Sequence, residues 1–357
     1  MQLRRLALQV LDMMSVTLLL ACGDDAGSGE PFVREGEQRA ALDAGHLHDA
    51  SADSGAQDAA AESAADSDMS TVDRTPKDAG QPEQRDAGAR KPEAKPDQNE
   101  APEPAAKKVA IRFQARIGKT DFACGQKYPS QGTLNTTVAP SDLRFFVHGV
   151  QLIEKDGDHV PVSLNERAPW QSSELALLDF EDGTGRCSDG TVETNTTLTG
   201  TVAPGEYRGI RFDIGVPSAQ NHGAAANAQE PLKSARGLGA GGVEGYRFAK
   251  IAVTQLTAAG EAAGSALLEL SSTQCQAEAD DEVTCSKPNR STVTFEAFDT
   301  ATQTIVVDLA ALWSQLDLTQ AHACHSTEKS CEAMFNAVGV DIVSGEPKPG
   351  QTLFRVQ

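Results

Sequence analysis

Between Gly23 and Lys108 the chain runs for 86 residues with no cysteine and one aromatic, Phe32, and its 20 Asp/Glu outnumber 10 Lys/Arg. Such a stretch cannot bury enough apolar surface to offset the entropy of ordering it, so 23–108 is expected to be a disordered acidic linker. Both tryptophans, all three tyrosines and six of the seven cysteines follow it. The 357 residues are therefore expected to hold one folded domain, 109–345, with a C-terminal tail at 346–357. Linker and domain share the net charge of −20 about equally, and no basic stripe exists to track phosphates. Nucleic acid is not an expected partner. The linker repeats Asp-Ala-Gly from Asp43, Asp78 and Asp86, and as a flexible coil it would span roughly 50 Å r.m.s.. His46 and His48 lie in it; a histidine pair on an acidic, unstructured segment reads as solvated rather than metal-bound.

The N-terminus reads as an address. Arg4 and Arg5 precede a mostly apolar run, Leu6 to Ala21, which Gln9 and Asp12 interrupt and which falls short of the roughly 20 residues a membrane span needs. It ends Leu19-Leu20-Ala21-Cys22, which resembles the bacterial lipobox. Residues 1–22 are thus expected to be a lipoprotein signal peptide, with Cys22 lipidated and the protein anchored to a membrane rather than embedded in it. That implies a location in the bacterial cell envelope, periplasmic or surface-exposed.

Beyond the linker the pattern has period two. Val109, Ile111, Phe113, Ala115 and Ile117 alternate with Ala110, Arg112, Gln114 and Arg116, the mark of a strand with one buried face. Ile210, Phe212, Ile214 and Val216 repeat it, and further strands are expected at 143–153, 160–164, 246–256, 266–270, 293–298 and 304–307. Asp156-Gly157 signals a hairpin between the first two of these. Two short helices are expected near the C-terminus: Leu309–Leu316 with Asp308 as N-cap, and Cys331–Val338 with Ser330 as cap and Gly339 as stop. The expected fold is all-β, a two-sheet β-sandwich stapled by disulfides. Six cysteines in an exported domain form an even set. Cys275–Cys285 and Cys324–Cys331 close short local loops, which leaves Cys124–Cys187 as the long-range pair. None shows Cys-x-x-Cys spacing.

Several strings, taken in order, resemble one family. They are Phe122-Ala123-Cys124-Gly125-Gln126-Lys127-Tyr128, Ser141-Asp142-Leu143-Arg144-Phe145-Phe146-Val147, Trp170-Gln171 and Leu175 to Gly183. Cys187, Gly190-Thr191, Asn195, Gly205-Glu206-Tyr207-Arg208-Gly209 and Gly215-Val216-Pro217 follow. Asn221-His222, Pro231-Leu232, Gly245-Tyr246-Arg247-Phe248, Ser272-Thr273-Gln274-Cys275 and Pro288-Asn289-Arg290 complete the series. Together they resemble the MbnP-like copper-binding proteins, the four-cysteine half of a "metallo-mystery pair". The resemblance implies a secreted or periplasmic β-rich domain that binds copper through histidines and an oxidised tryptophan, kynurenine. It also implies a dihaem peroxidase-like protein partner that performs the oxidation.

The resemblance also exposes departures. A Trp-x-Trp-Gln-like segment is typical of the family just before the Gly-Tyr-x-Phe string; here stand Ala240-Gly241-Gly242-Val243-Glu244. The family's His-Leu-Gly-Ser-Thr string is here Glu269-Leu270-Ser271-Ser272-Thr273, which sets Glu269 at the place of a histidine. His222 survives, and His325 follows a cysteine where the family often carries Met. The expected copper-side residues are therefore His222, Glu269 and His325, in a degenerate site. Copper favours imidazole or sulfur donors, and one histidine seldom holds it. His222 can equally be a loop-capping histidine, and His148 or His159 could substitute if the sandwich brought either beside it.

Other chemistry is weaker. His322-Ala323-Cys324-His325 loses its thiolate if Cys324 is paired. Asp179, Glu181, Asp182 and Asp189 could hold Ca²⁺ in a loop but lack the EF-hand spacing; Asp179 can equally serve a backbone amide. No nucleophile elbow, phosphate loop or His-Glu-x-x-His occurs, and no enzyme is expected. The alternative to a copper protein is a lipid-anchored binding or structural module on the same fold.

Overall fold

The protein is described by a computed structural model covering residues 105–357 apart from 235–236, 240, 279–281 and 326–327. The signal segment, Cys22, most of the linker and the His46/His48 pair lie outside the described residues. In chain order the strands begin with β1 (Lys107–Ile117), β2 (Thr120–Asp121), β3 (Tyr128–Gln131), β4 (Thr136–Glu154), β5 (His159–Pro161) and β6 (Ser163–Leu164). Next are β7 (Leu175–Asp179), β8 (Thr197–Val202), β9 (Tyr207–Ile214), β10 (Arg247–Leu256), β11 (Ala262–Ser271) and β12 (Thr273–Ala277). The series ends with β13 (Val283–Lys287), β14 (Ser291–Phe295), β15 (Ile305–Asp308), β16 (His322–Cys324) and β17 (Phe354–Val356). Three short α-helices, α1 (Ser218–Asn221), α2 (Leu309–Leu312) and α3 (Glu332–Val338), join them.

One sheet runs β17-β15-β1-β8-β6 and the other β14-β9-β4-β10-β11-β16, with β12 and β13 as a separate ribbon. The period-two face of β1 is buried as its sequence requires. Its Phe113 meets Phe145 of β4 and Phe212 of β9 at ring-centroid distances of 6.3 and 5.7 Å. Phe354 of β17 meets the same two rings at 5.6 and 5.8 Å. Edge-to-face rings from both sheets thus form the centre of a β-sandwich. The three disulfides pair as loop closure predicts: Cys124–Cys187, Cys275–Cys285 and Cys324–Cys331.

Some boundaries differ from the sequence pattern for physical reasons. Residues 346–357 do not form a separate tail, because β17 pairs antiparallel with β15 and sends Phe354 into the core. β7 escapes a period-two search because all five of its residues are buried. Asp308 caps α2 by accepting from the Ala310 amide at 3.1 Å, but α2 stops at Trp313 rather than Leu316. Ser330 does not cap α3. It lies in a 3-10 turn, Lys329–Cys331, and the cap position falls to Cys331, which the disulfide to Cys324 holds in place. Gly339 ends α3 in the left-handed region, at φ 79°.

Candidate metal centre

β11 and β16 run parallel, with Leu268 opposite Cys324. The next residue on each chain is Glu269 and His325, and this register brings the two side chains together. His325 Nδ1 donates to Glu269 Oε2 at 2.8 Å. The His325 side chain is 54% exposed while that of Glu269 is only 12% exposed, so the carboxylate forms the floor and the imidazole the rim. The Cys324–Cys331 bridge fixes the strand end from which His325 projects. On the neighbouring strand β10, Arg247 Nε forms an ion pair with the same Glu269 oxygen at 3.0 Å. These three side chains line a cleft of about 740 Å³ together with Gly239, Gly241, Gly245 and Cys275.

His222 stands just after α1. Its Nδ1–H donates to the Gly242 carbonyl at 2.9 Å, which fixes the tautomer, since a carbonyl can only accept. Nε2 accepts from Asn221 Nδ2 at 2.9 Å, and the Tyr246 amide donates to Asn221 Oδ1 at 2.9 Å. Gly245 permits this stack. It sits at φ +67°, and a Cβ there would fall 2.7 Å from Asn221 Nδ2 and 2.9 Å from His222 Cε1. The Gly-rich loop before Tyr246 therefore receives His222 through its backbone. Cys285 Sγ lies 3.3 Å from Nε2.

Glu269 and His325 thus meet, whereas His222 stands apart, beside the Cys275–Cys285 bridge that borders the same cleft. Among the described residues the one group of three His, Cys, Asp or Glu donors within 4.8 Å of one another is His222, Cys275 and Cys285. His148 and His159 are engaged elsewhere. His148 is opposite Asp213 on β9, with burial depressing its pKa, and His159 Nδ1 is 3.2 Å from Gln151 Oε1. His322 Nε2 donates to the Asp317 carbonyl at 2.9 Å, and Cys324 is bridged, so the His322–His325 string is not a metal cluster.

The acidic stretch also disperses. Asp179 Oδ1 accepts from the Glu181 amide at 2.9 Å, and Asp182 accepts from the Thr184 amide and hydroxyl. Glu181 turns into the core against Arg144. Arg144 also grips Asp142 through Nη2 at 2.7 Å, and Lys250 Nζ reaches Asp142 at 2.8 Å. Two cations thus face three buried carboxylates. Burial, then the neighbouring Asp142, pushes Glu181 up to about 9, and burial pushes Asp179 up to about 6. Asp142 is held below its ordinary value: burial opposes this most strongly, but hydrogen bonds from Arg144, Glu181 and Lys250, with the charge of Arg144, together outweigh it. With Glu181 protonated the cluster is neutral, which marks it as a structural element of the sandwich rather than a cation loop. The sequence strings contain Asp142, Arg144, Asp179 and Glu181 without revealing the grouping and leave Lys250 out, because the members come from β4, β7, the segment after β7, and β10. Arg247 was missed for a different reason: it reads as one residue of an expected strand, 246–256, and only the sheet register brings it to Glu269.

A sequence model of the MbnP family matches residues 106–327. The chain belongs to the MbnP family. Among solved structures it is similar to MbnP from Methylosinus trichosporium, at 26% identity and a TM-score of 0.62, covering 71% of this chain and 98% of that one. No curated protein matches the sequence. Within this MbnP fold, the glycine loop before Tyr246 and Glu269 border the same cleft.

The donor chemistry can be tested against copper. In this cleft an ion could take the place of the proton between His325 Nδ1 and Glu269 Oε2, 2.8 Å apart, an oxygen that Glu269 already shares with Arg247. Both nitrogens of His222 are hydrogen-bonded. One imidazole and one partly neutralised carboxylate do not fit the closed three- or four-donor set that retains copper. They fit an open, mixed N/O site that holds an ion loosely.

Proposed function

We propose that this MbnP family member is a lipid-anchored, extracytoplasmic protein that binds Cu²⁺ weakly and exchangeably at Glu269 and His325. The observation that carries the reading is the 2.8 Å contact between these side chains at an open cleft. Arg247 would hold the carboxylate in place and weaken its attraction for a cation, and solvent would fill the remaining positions. The chain's own residues thus orient one donor pair and leave the ion open to transfer. Anchoring at Cys22 with a long acidic linker would let the domain range from the membrane, where a dihaem peroxidase-like partner could reach it.

Isothermal titration of the oxidised chain with Cu²⁺ tests this. Wild type is expected to bind one ion weakly, His325→Ala to bind none, and Glu269→Gln to bind more weakly still than wild type. Binding equal in all three proteins overturns the assignment. A second reading, a binding module that holds no metal, is favoured by the Arg247–Glu269 ion pair; no copper uptake by wild type would establish it.

A further inference from the structure

The group formed by His222, Cys275 and Cys285 does not belong to the Glu269–His325 pair, and nothing above uses it. Cys275 and Cys285 face each other directly across the β12–β13 ribbon. Both are half-buried, whereas the other four domain cysteines are at most 1% exposed. A reductant therefore reaches this bridge ahead of the other two. His222 is held as a metal-ligating imidazole is: Nδ1–H is locked on a backbone carbonyl, and Nε2, which accepts from Asn221 Nδ2, lies 3.3 Å from Cys285 Sγ. Metal–donor bonds of about 2.0–2.3 Å place trigonal donors roughly 3.5–4 Å apart, within the 4.8 Å that encloses these three atoms.

We propose that reduction of Cys275–Cys285 opens a trigonal Cu⁺ site made of the two cysteine sulfurs and His222 Nε2. A dithiol breaks the S–S bond: two electrons and two protons pass to the cysteines, and the dithiol closes to its own disulfide. Cu⁺ then displaces both thiol protons to solvent, and His222 exchanges its Asn221 hydrogen bond for the metal. Soft thiolates select Cu⁺ over the harder ions that the cleft's carboxylate suits. Exchange with an external disulfide reverses this: that disulfide takes two electrons from the thiolates and two protons from solvent to become its dithiol, the Cys275–Cys285 bond re-forms and Cu⁺ is expelled, so the ribbon acts as a redox-gated copper holder. This goes beyond the proposed Cu²⁺ reading and shares no donor with it.

The test uses the full chain carrying Cys22→Ser, so that the only thiols are those released by reduction. After anaerobic dithiothreitol treatment and its removal, alkylation mapping is expected to label Cys275 and Cys285 alone. The reduced protein is then equilibrated with Cu⁺ supplied as a bathocuproine disulfonate complex. It is expected to retain one equivalent, with copper–sulfur scattering in the X-ray absorption spectrum. Retention is expected to be lost in Cys275→Ser/Cys285→Ser and in His222→Ala, and kept in His325→Ala, with circular dichroism reporting that each variant is folded. Equal retention by the oxidised chain overturns the proposal. So does a reduced chain that takes up no Cu⁺, or one whose copper survives His222→Ala. Failure here leaves Cu²⁺ binding by the oxidised chain, and its dependence on His325, untouched.

Discussion

Replacing Glu181 with glutamine should change how stability depends on pH far more than it changes stability itself. Glu181 is fully buried against Arg144, in a cluster whose cations are Arg144 and Lys250 and whose other carboxylates are Asp142 and Asp179. Its folded pKa is raised, from an ordinary 4.5 to about 9. The proton it keeps on folding therefore contributes stability that is complete below pH 4.5 and is lost as pH rises towards about 9. Each pH unit inside that window costs about 1.4 kcal/mol from this group. Glutamine has the shape of the protonated acid and no proton to lose. Glu181→Gln should accordingly gain about 3 kcal/mol on wild type between pH 6 and pH 8, two units at that slope. Urea unfolding of the disulfide-intact chain, followed by fluorescence of the fully buried Trp313, measures both proteins across the range. Parallel stability curves would refute the reasoning, because they would mean that Glu181 is ionised in the fold and pairs with Arg144 as a carboxylate.

Other consequences are as direct. The Cys124–Cys187 bridge closes 63 residues, so Cys124→Ser/Cys187→Ser should lose about 4 kcal/mol in denaturant unfolding; a loss under 1 kcal/mol would speak against the chain-entropy account. Cys22→Ser should shift the protein from the membrane fraction or block its processing, and soluble wild-type protein would end the lipoprotein reading. Intact mass after co-expression with a dihaem peroxidase-like partner should show no oxygen added to tryptophan. The reason is that 240–244 holds none and Trp313 is fully buried; an oxygen on Trp170 or Trp313 would contradict this.

Much of the sandwich was legible because its core strands obey local rules. β1 alternates, β9 alternates, and the Asp156-Gly157 turn returns the chain on itself as β5 pairs with β4. The disulfides followed from loop length for the same reason, since a short loop closes locally. What stayed hidden depended on register. Nothing in the strings around Glu269 and His325 says that β11 and β16 run parallel, yet that pairing alone creates the donor pair. His222 was visible as a candidate, but its two hydrogen bonds, and the sulfurs beside it, arise from a loop, a helix end and a ribbon far apart in sequence. β7 was hidden because complete burial removes the alternation that marks a strand.

The central claim is that copper in the oxidised protein rests on the imidazole of His325 beside Glu269 and not on His222. Electron spin-echo envelope modulation on the chain loaded with Cu²⁺ at equilibrium reads the coordinated imidazoles directly. The modulation of a single histidine ring is expected, present in His222→Ala and gone in His325→Ala. A spectrum with two or more imidazoles, or one lost in His222→Ala and retained in His325→Ala, would contradict it.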